Sequence, residues 1–109
     1  MARGVSRGEI WLYTFKPPDK RRPVVILSRQ GVIRLLSTVV VAPVTSAIRG
    51  VPSEVSVGTD EGLKRPSVVN LDHVQTVEQS ALHTFVGTVG DGKMRQICRA
   101  LTVATGCGR

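Results

Sequence analysis

Residues 16–28, KPPDKRRPVVILS, constrain the fold more than any other stretch of this sequence. Their first half is a basic loop, stiffened by two prolines, in which Asp19 favours a turn. Their second half, residues 24–28, is almost wholly apolar, which is typical of a central strand buried on both faces. Pro23 lacks an N–H group and is expected to open this strand, with Arg22 in an extended backbone before it. The stretch therefore predicts a sheet that carries a basic loop at its rim.

Short strands are expected over most of the remaining chain, because apolar residues there alternate with polar ones or form brief runs bounded by glycine and proline. The expected strands are residues 8–15, 38–44, 52–57, 66–71 and 74–78, and residues 83–89 are expected to form either a seventh short strand or a lead-in to a helix. Pro43 lies inside the second of these and favours a bend or an edge position. In the first, one face is expected to be buried, and Trp11 there either packs in the core or offers a surface on which a base stacks.

A long helix is expected to begin at Asp91, a suitable N-cap, and to end at Gly106, a suitable C-terminal stop. Apolar residues recur between them at helical spacing and form one stripe that faces the core. These residues are Met94, Ile97, Cys98 and Leu101. Many short strands followed by one helix predict a mainly β protein built on a strongly bent antiparallel sheet or small barrel. At 109 residues, the chain is expected to form one domain over residues 1–109.

The net charge of +7 belongs to the first half of the sequence. Residues 1–50 contain nine Lys or Arg and two acidic residues, whereas residues 51–109 contain six of each kind. A localised basic surface points to a polyanionic partner, nucleic acid before acidic protein, and a merely solvated face is the alternative. No stretch approaches the ~18 consecutive apolar residues of a membrane helix, so a cytoplasmic protein is expected.

The residues available for chemistry are few. The sequence has no glycine-rich phosphate loop and no HExxH, CxxC or GxSxG motif, and its scattered acidic residues argue against a two-metal nuclease. What remains suits cleavage of RNA by its own 2′-hydroxyl group, which requires a bent backbone and donors on the phosphate oxygens. Arg22 would supply such donors, and Thr45 or Ser46 another. His73 and His83 could exchange protons near neutral pH, although nothing in their spacing brings them together.

Four segments, in this order and spacing, resemble the MazF/PemK family of toxin endoribonucleases. They are RGEIW at residues 7–11, RPVVILS at 22–28, APVTS at 42–46, and PSVVNLD with VQT between residues 66 and 76. The similarity extends over about residues 6–105. It implies an SH3-like barrel of the MazF/PemK/CcdB kind with a C-terminal α-helix, usually as a homodimer.

The resemblance also implies an mRNA interferase that cuts single-stranded RNA at short sequences, without metal or other cofactor, and leaves 2′,3′-cyclic phosphate ends. The catalytic arginine and threonine of the family correspond to Arg22 and Thr45. The residues expected to bind RNA are Lys16, Lys20, Arg21, Ser46, Gln75 and Trp11. The expected inhibitor is a cognate antitoxin, and the basic first half favours an acidic, disordered C-terminal antitoxin segment. Similar barrels also host the alternatives, a non-catalytic binding module or a gyrase-directed toxin.

Overall fold

The structure is a computed structural model that describes residues 4–17 and 20–108. Within these residues the chain forms seven strands and two α-helices. The strands are β1 Glu9–Thr14, β2 Arg21–Ile26, β3 Thr38–Thr45, β4 Glu54–Val57, β5 Ser67–Asn70, β6 Gln75–Glu78 and β7 Thr84–Thr88. The helices are α1 Gln30–Ile33 and α2 Asp91–Thr105. Single 3₁₀ turns at Thr59–Glu61, Leu71–His73 and Gln79–Ala81 connect the strands.

Strand β3 is the centre of an antiparallel sheet with the order β4-β5-β3-β2-β1-β7. One edge of β3 pairs with β2, and the other pairs first with β6, over residues 38–41, and then with β5, over residues 44–45. Pro43 falls between these last two ladders, in a gap where a residue without an N–H group is tolerated. An edge position for this strand is therefore wrong, whereas a change of partner at the proline is present.

Strand β2 begins two residues earlier than the proline signal predicts. Arg21 and Arg22 precede Pro23 within the strand and pair with Thr14 and Tyr13 of β1. The ladder to β3 begins only at Val24, so Pro23 lies where β2 has a partner on one edge alone. Arg22 is consequently held by regular pairing and does not belong to the preceding loop. The turn expected at Asp19 lies outside the described residues.

Both faces of the sheet are covered by apolar side chains. The helix-side core packs against α2 and consists of Ile10, Val25, Leu27, Ala42, Val44, Val55, Val57, Leu63, Val69, Leu71, Val89, Ile97 and Ala100. The far-side core consists of Val5, Trp11, Val24, Ile26, Ile33, Val39, Val41, Val77 and Leu82. The expectation that β1 buries one face only is wrong, because Glu9, Ile10 and Trp11 are all buried.

Helix α2 begins at Asp91, as predicted, but Asp91 is not its N-cap and Cys98 lies outside the buried stripe. Its N-cap is Gly90, and Asp91 is its first residue, where a carboxylate interacts favourably with the helix dipole. The buried side is centred on Ile97 and Ala100, one turn apart. Cys98 lies about 100° further round the helix and is exposed, so a core position for this cysteine is wrong. The predicted stop is confirmed, because Gly106 adopts the left-handed conformation, with φ of 72°.

Two glycines let the ends of the sheet approach each other. A Cβ atom at Gly87 of β7 would overlap the carbonyl oxygen of Glu61, in the turn that follows β4. A Cβ atom at Gly62 would lie 2.6 Å from the carbonyl oxygen of Val86, and the φ of Gly62 is +93°. Since β4 and β7 are the terminal strands of the order, this contact closes the bent sheet toward a barrel. No helix of the described residues has the length and apolar character needed to cross a membrane.

Replacing Gly87 by alanine is expected to lower the free energy of unfolding by about 1–3 kcal/mol, because backbone atoms must move to accept the methyl group. Gly31→Ala is the matched control, since a Cβ atom there meets nothing within 4 Å. Urea unfolding of the two variants measures the difference. Equal stability of both variants would contradict the close approach.

Candidate active site

A cleft of about 740 Å³ opens at one end of strands β2, β3 and β5. Its lining comes from these strands, from the end of β1, from the loop after β3, and from the segment that leads from β5 into β6. The lining residues are Phe15, Arg22, Pro43, Thr45, Ala47, Arg49, Asn70, Asp72, His73, Val74 and Gln75. The set is rich in hydrogen-bond donors and contains two arginines, so the cleft is suited to an anionic ligand.

Strand alternation builds the cleft as a continuation of the far-side core. Side chains two residues apart on a strand share a face, so Arg22 lies on the face of Val24, and Thr45 on the face of Val41. Gln75 pairs with Val41 across the β3–β6 ladder and lies on that same face. The apolar face of the core thus turns polar where the strands reach the surface.

Arg22 and Thr45 meet in this cleft. Nη1 of Arg22 donates a long hydrogen bond of 3.5 Å to Oγ1 of Thr45, and the backbone N–H of Ala47 donates to the same oxygen at 3.1 Å. A hydroxyl group has two acceptor sites and one donor, so both acceptor sites are taken and the hydroxyl hydrogen remains for a ligand. Thr45 is therefore a turn former whose hydroxyl group can still donate to a ligand. Together the hydroxyl group and the half-buried guanidinium group can bind phosphate oxygens from two directions.

A second arginine, Arg49, reaches the cleft from the loop after β3. The carboxylate of Glu54, at the start of β4, holds this loop. It accepts from the backbone N–H of Arg49 at 3.1 and 3.3 Å and from that of Gly50 at 2.9 Å. Arg49 is not among the site residues predicted from the sequence. Its signal in the sequence is weak, since a single arginine a few positions before an acidic residue is common.

The segment after β5 is held by a chain of side-chain hydrogen bonds. Oδ1 of Asn70 accepts from the backbone N–H of Asp72 at 3.0 Å, and Nδ2 of Asn70 lies 2.8 Å from Nδ1 of His73. Oδ2 of Asp72 accepts from the hydroxyl group of Ser53. Asn70 is only 7% exposed and therefore acts as the buried anchor of this segment.

The other residues predicted to bind RNA occupy different positions. Gln75 lines the cleft, whereas Ser46 is exposed and lies outside the lining, which favours Thr45 over Ser46 as the hydroxyl donor. Lys16 and Lys20 are exposed on the loop before β2. Arg21 lies on the opposite face of β2 from Arg22, and its Nη2 donates to Oγ1 of Thr84 at 3.2 Å.

The stacking role predicted for Trp11 is wrong. Its ring is 3% exposed, its Nε1–H donates to Oε1 of Glu9 at 3.0 Å, and it packs edge-on against Phe85. A base cannot reach a ring that is enclosed in the far-side core. The aromatic ring of the cleft is Phe15, which is half-buried and packs edge-on against Tyr13.

The two histidines do not share the cleft. His73 lines it, whereas the exposed His83 lies outside the lining. Among residues 4–17 and 20–108, no group of three or more His, Cys, Asp or Glu side chains is arranged to hold a metal ion. Asp72 is the one carboxylate in the lining, and it already accepts a hydrogen bond from Ser53.

Comparison with known proteins identifies the family. The profile of the PemK-like, MazF-like toxins of type II toxin-antitoxin systems matches residues 6–105. The chain belongs to this family. It is 44% identical to the probable endoribonuclease MazF5 of Mycobacterium tuberculosis in an alignment of 106 residues that covers 95% of this chain and 95% of that protein.

Solved structures of MazF toxins share the fold. The Mycobacterium tuberculosis toxin MazF-mt6 superposes with a TM-score of 0.83 at 35% identity, over 90% of this chain and 96% of that one. An endoribonuclease from mycobacteria, solved in complex with its cognate antitoxin, gives a TM-score of 0.84 at 26% identity, over 96% and 98% of the two chains. The predicted fold class, a mainly β barrel-like sheet with a C-terminal helix, is confirmed.

Removing the carboxylate of Glu54 is expected to release the loop that carries Arg49. In Glu54→Ala, amide hydrogen exchange at Arg49 and Gly50 should become faster by about an order of magnitude, because both N–H groups lose their acceptor. Glu54→Gln, which keeps one acceptor oxygen, should show a smaller change. Glu78→Ala, at an exposed position on β6, serves as the control. Unchanged exchange in Glu54→Ala would mean that the loop is held by other contacts.

Proposed function

We propose that this MazF-family protein is a toxin endoribonuclease that cuts single-stranded RNA at short sequences by attack of the RNA's own 2′-hydroxyl group. The observation that carries this proposal is the Arg22–Thr45 contact within a cleft that also holds Arg49. The names of the relatives, MazF endoribonucleases, support the same activity.

The cleavage step requires stabilisation of the negative charge that develops on the phosphate oxygens. The 2′-oxygen forms a bond to phosphorus while the bond from phosphorus to the 5′-oxygen breaks. The 2′-hydroxyl group loses its proton and the leaving oxygen gains one, so the products are a 2′,3′-cyclic phosphate and a 5′-hydroxyl end. Arg22 and the hydroxyl group of Thr45 would donate to the phosphate oxygens that become more negative in the transition state. We assign no proton transfer to Arg22, because a guanidinium group does not give up its proton in proteins.

The chemistry of the cleft favours a reaction without metal. Its lining offers cationic and hydroxyl donors on the side of Arg22, and these are groups that bind phosphate directly. Divalent cations such as Mg²⁺ instead prefer carboxylate and other oxygen ligands.

The proposed reaction is tested on a long single-stranded RNA in excess chelator. We expect discrete fragments with 2′,3′-cyclic phosphate ends. We also expect no cutting of an oligonucleotide that has a 2′-deoxy sugar on the 5′ side of the cleaved bond, because it lacks the nucleophile. Loss of cutting in chelator would exclude the metal-free mechanism, and cutting of the 2′-deoxy substrate would exclude 2′-hydroxyl attack. Retarded but intact RNA would instead indicate a non-catalytic binding module.

Arg22→Ala is expected to lower kcat by about 10²–10³-fold, the usual cost of removing a donor that acts in the transition state. Arg21→Ala is the matched control, since it removes the same charge from the opposite face of β2. Thr45→Val should be strongly impaired, whereas Thr45→Ser, which keeps the hydroxyl group, should retain most activity. Circular dichroism verifies that each variant is folded. Normal turnover in Arg22→Ala would remove this residue from the mechanism.

We further propose that the protein acts in the cytoplasm, where its RNA substrate is found, as a homodimer under the control of a cognate antitoxin. An acidic, disordered antitoxin segment that folds on binding would compete with RNA for the basic side of the molecule. The exposed Lys16 and Lys20 border the strand that carries Arg22, and Arg49 lies in the cleft itself.

The affinity of such a segment is expected to fall as ionic strength rises above ~0.1 M, where the Debye length is about 10 Å. Replacing both Lys16 and Lys20 by alanine should weaken antitoxin binding as well as RNA binding. Replacing Lys64 and Arg65, an exposed basic pair in the neutral half of the chain, is the control. Isothermal titration at several salt concentrations measures these effects. An affinity independent of both salt and Lys16/Lys20 would show that the antitoxin binds through apolar surface.

A further inference from the structure

His73 is a cleft residue with one ring nitrogen in a hydrogen bond to Asn70. Asn70 contacts it through Nδ2 at 2.8 Å from Nδ1 of the imidazole ring. The exposed ring lines the cleft, and Nε2 has no hydrogen-bond partner among the residues that the structure describes. The proposed reaction assigns no role to this residue.

The orientation of the Asn70 amide follows from its other contact. The backbone N–H of Asp72 can only donate, so the amide atom 3.0 Å from it must be the oxygen. The amide group that faces His73 is therefore NH₂, which is a donor. Nδ1 of His73 must then be the acceptor, and the neutral ring carries its hydrogen on Nε2.

We infer that His73 is a specificity-determining residue, which donates a hydrogen bond from Nε2–H to an acceptor on a base of the bound RNA, and that Asn70 positions it. This inference rests on the proposed function. A ring with Nδ1 occupied and Nε2 protonated offers a fixed donor and no free acceptor. It therefore selects bases with an oxygen or nitrogen acceptor at that point.

The position of His73 favours a base over a phosphate group as its ligand. The phosphate-binding groups, Arg22, Thr45 and Arg49, come from β2, β3 and the loop after β3. His73 instead comes from the turn after β5, two residues before Gln75 on β6. Gln75 also lines the cleft, and its amide group is a usual reader of base edges. Phe15 supplies a ring on which such a base can stack.

Nitrogen-15 NMR tests the geometric part without any cleavage. In mildly alkaline buffer, long-range ¹H–¹⁵N correlations distinguish the two neutral tautomers of each histidine. We expect the Nε2–H form for His73 and its loss in Asn70→Asp, where a carboxylate oxygen replaces the donor at Nδ1. His83, which lies outside the cleft, is the internal control in the same spectrum. An Nδ1–H form of His73 in the wild-type protein would overturn the inference.

Sequence preference tests the functional part. A pool of single-stranded RNA oligonucleotides with randomised positions is cut, and the fragment ends are sequenced. His73→Phe, which keeps a ring without a donor, should reduce kcat/KM at preferred sequences by about tenfold while other sequences are cut as before. His73→Gln, which restores an N–H donor, should recover part of the preference, and His83→Phe should leave it unchanged.

The outcomes separate this inference from the proposed function. An unchanged preference in His73→Phe, or an equal loss at all sequences, would overturn a base-reading role. If the wild-type protein cuts no RNA, the proposed function fails. In that case, anisotropy with 2′-O-methyl oligonucleotides still measures whether His73→Phe alters sequence preference in binding, and an unaltered preference overturns the inference.

Discussion

The two-residue alternation of β3, paired on both edges, is the constraint on which the rest of the molecule depends. Alternate side chains of this strand enter the helix-side core and the far-side core, so its register cannot slip without exposing apolar groups on both faces. On the far-side face of β3, the same alternation leads from Val39 and Val41 past Pro43 to Thr45, which is the polar residue at the end of the strand. Burial of the core therefore also sets the position of a polar group in the cleft.

Side-chain acceptors fix the parts of the cleft that strand pairing does not reach. Glu54 accepts from the loop that carries Arg49, and Asn70 caps the turn that carries His73. Glu54 and Asn70 are directly opposite each other in the β4–β5 ladder. Two adjacent loops are thus anchored on one pair of strand residues, which gives the cleft walls a defined geometry although neither is regular structure.

Much of the fold followed from local sequence patterns, whereas the wrong predictions concerned which residues pack together in the tertiary structure. Apolar runs and period-two alternation located six of the seven strands of the described residues and left residues 83–89 open between a strand and a lead-in to the helix. Gly106 ended the helix as expected. Trp11 and Cys98 were misjudged for the same reason: a residue's position on a face does not say what covers that face. Trp11 was predicted to contact RNA, but the far-side core encloses it. Cys98 was predicted to lie in the core, but it lies just beyond the packed side of α2.

The sequence by itself determined the strand content, the C-terminal helix, the basic first half and the pairing of Arg22 with Thr45 as candidate residues, because these depend on composition, spacing and a series of motifs. Only the tertiary structure decided which neighbours join them. Phe15, Arg49 and the segment with Asn70 and His73 come from three separate parts of the chain, and their meeting depends on strand order. Local pattern carries no information on such contacts, since they arise only when the sheet bends and its loops are anchored.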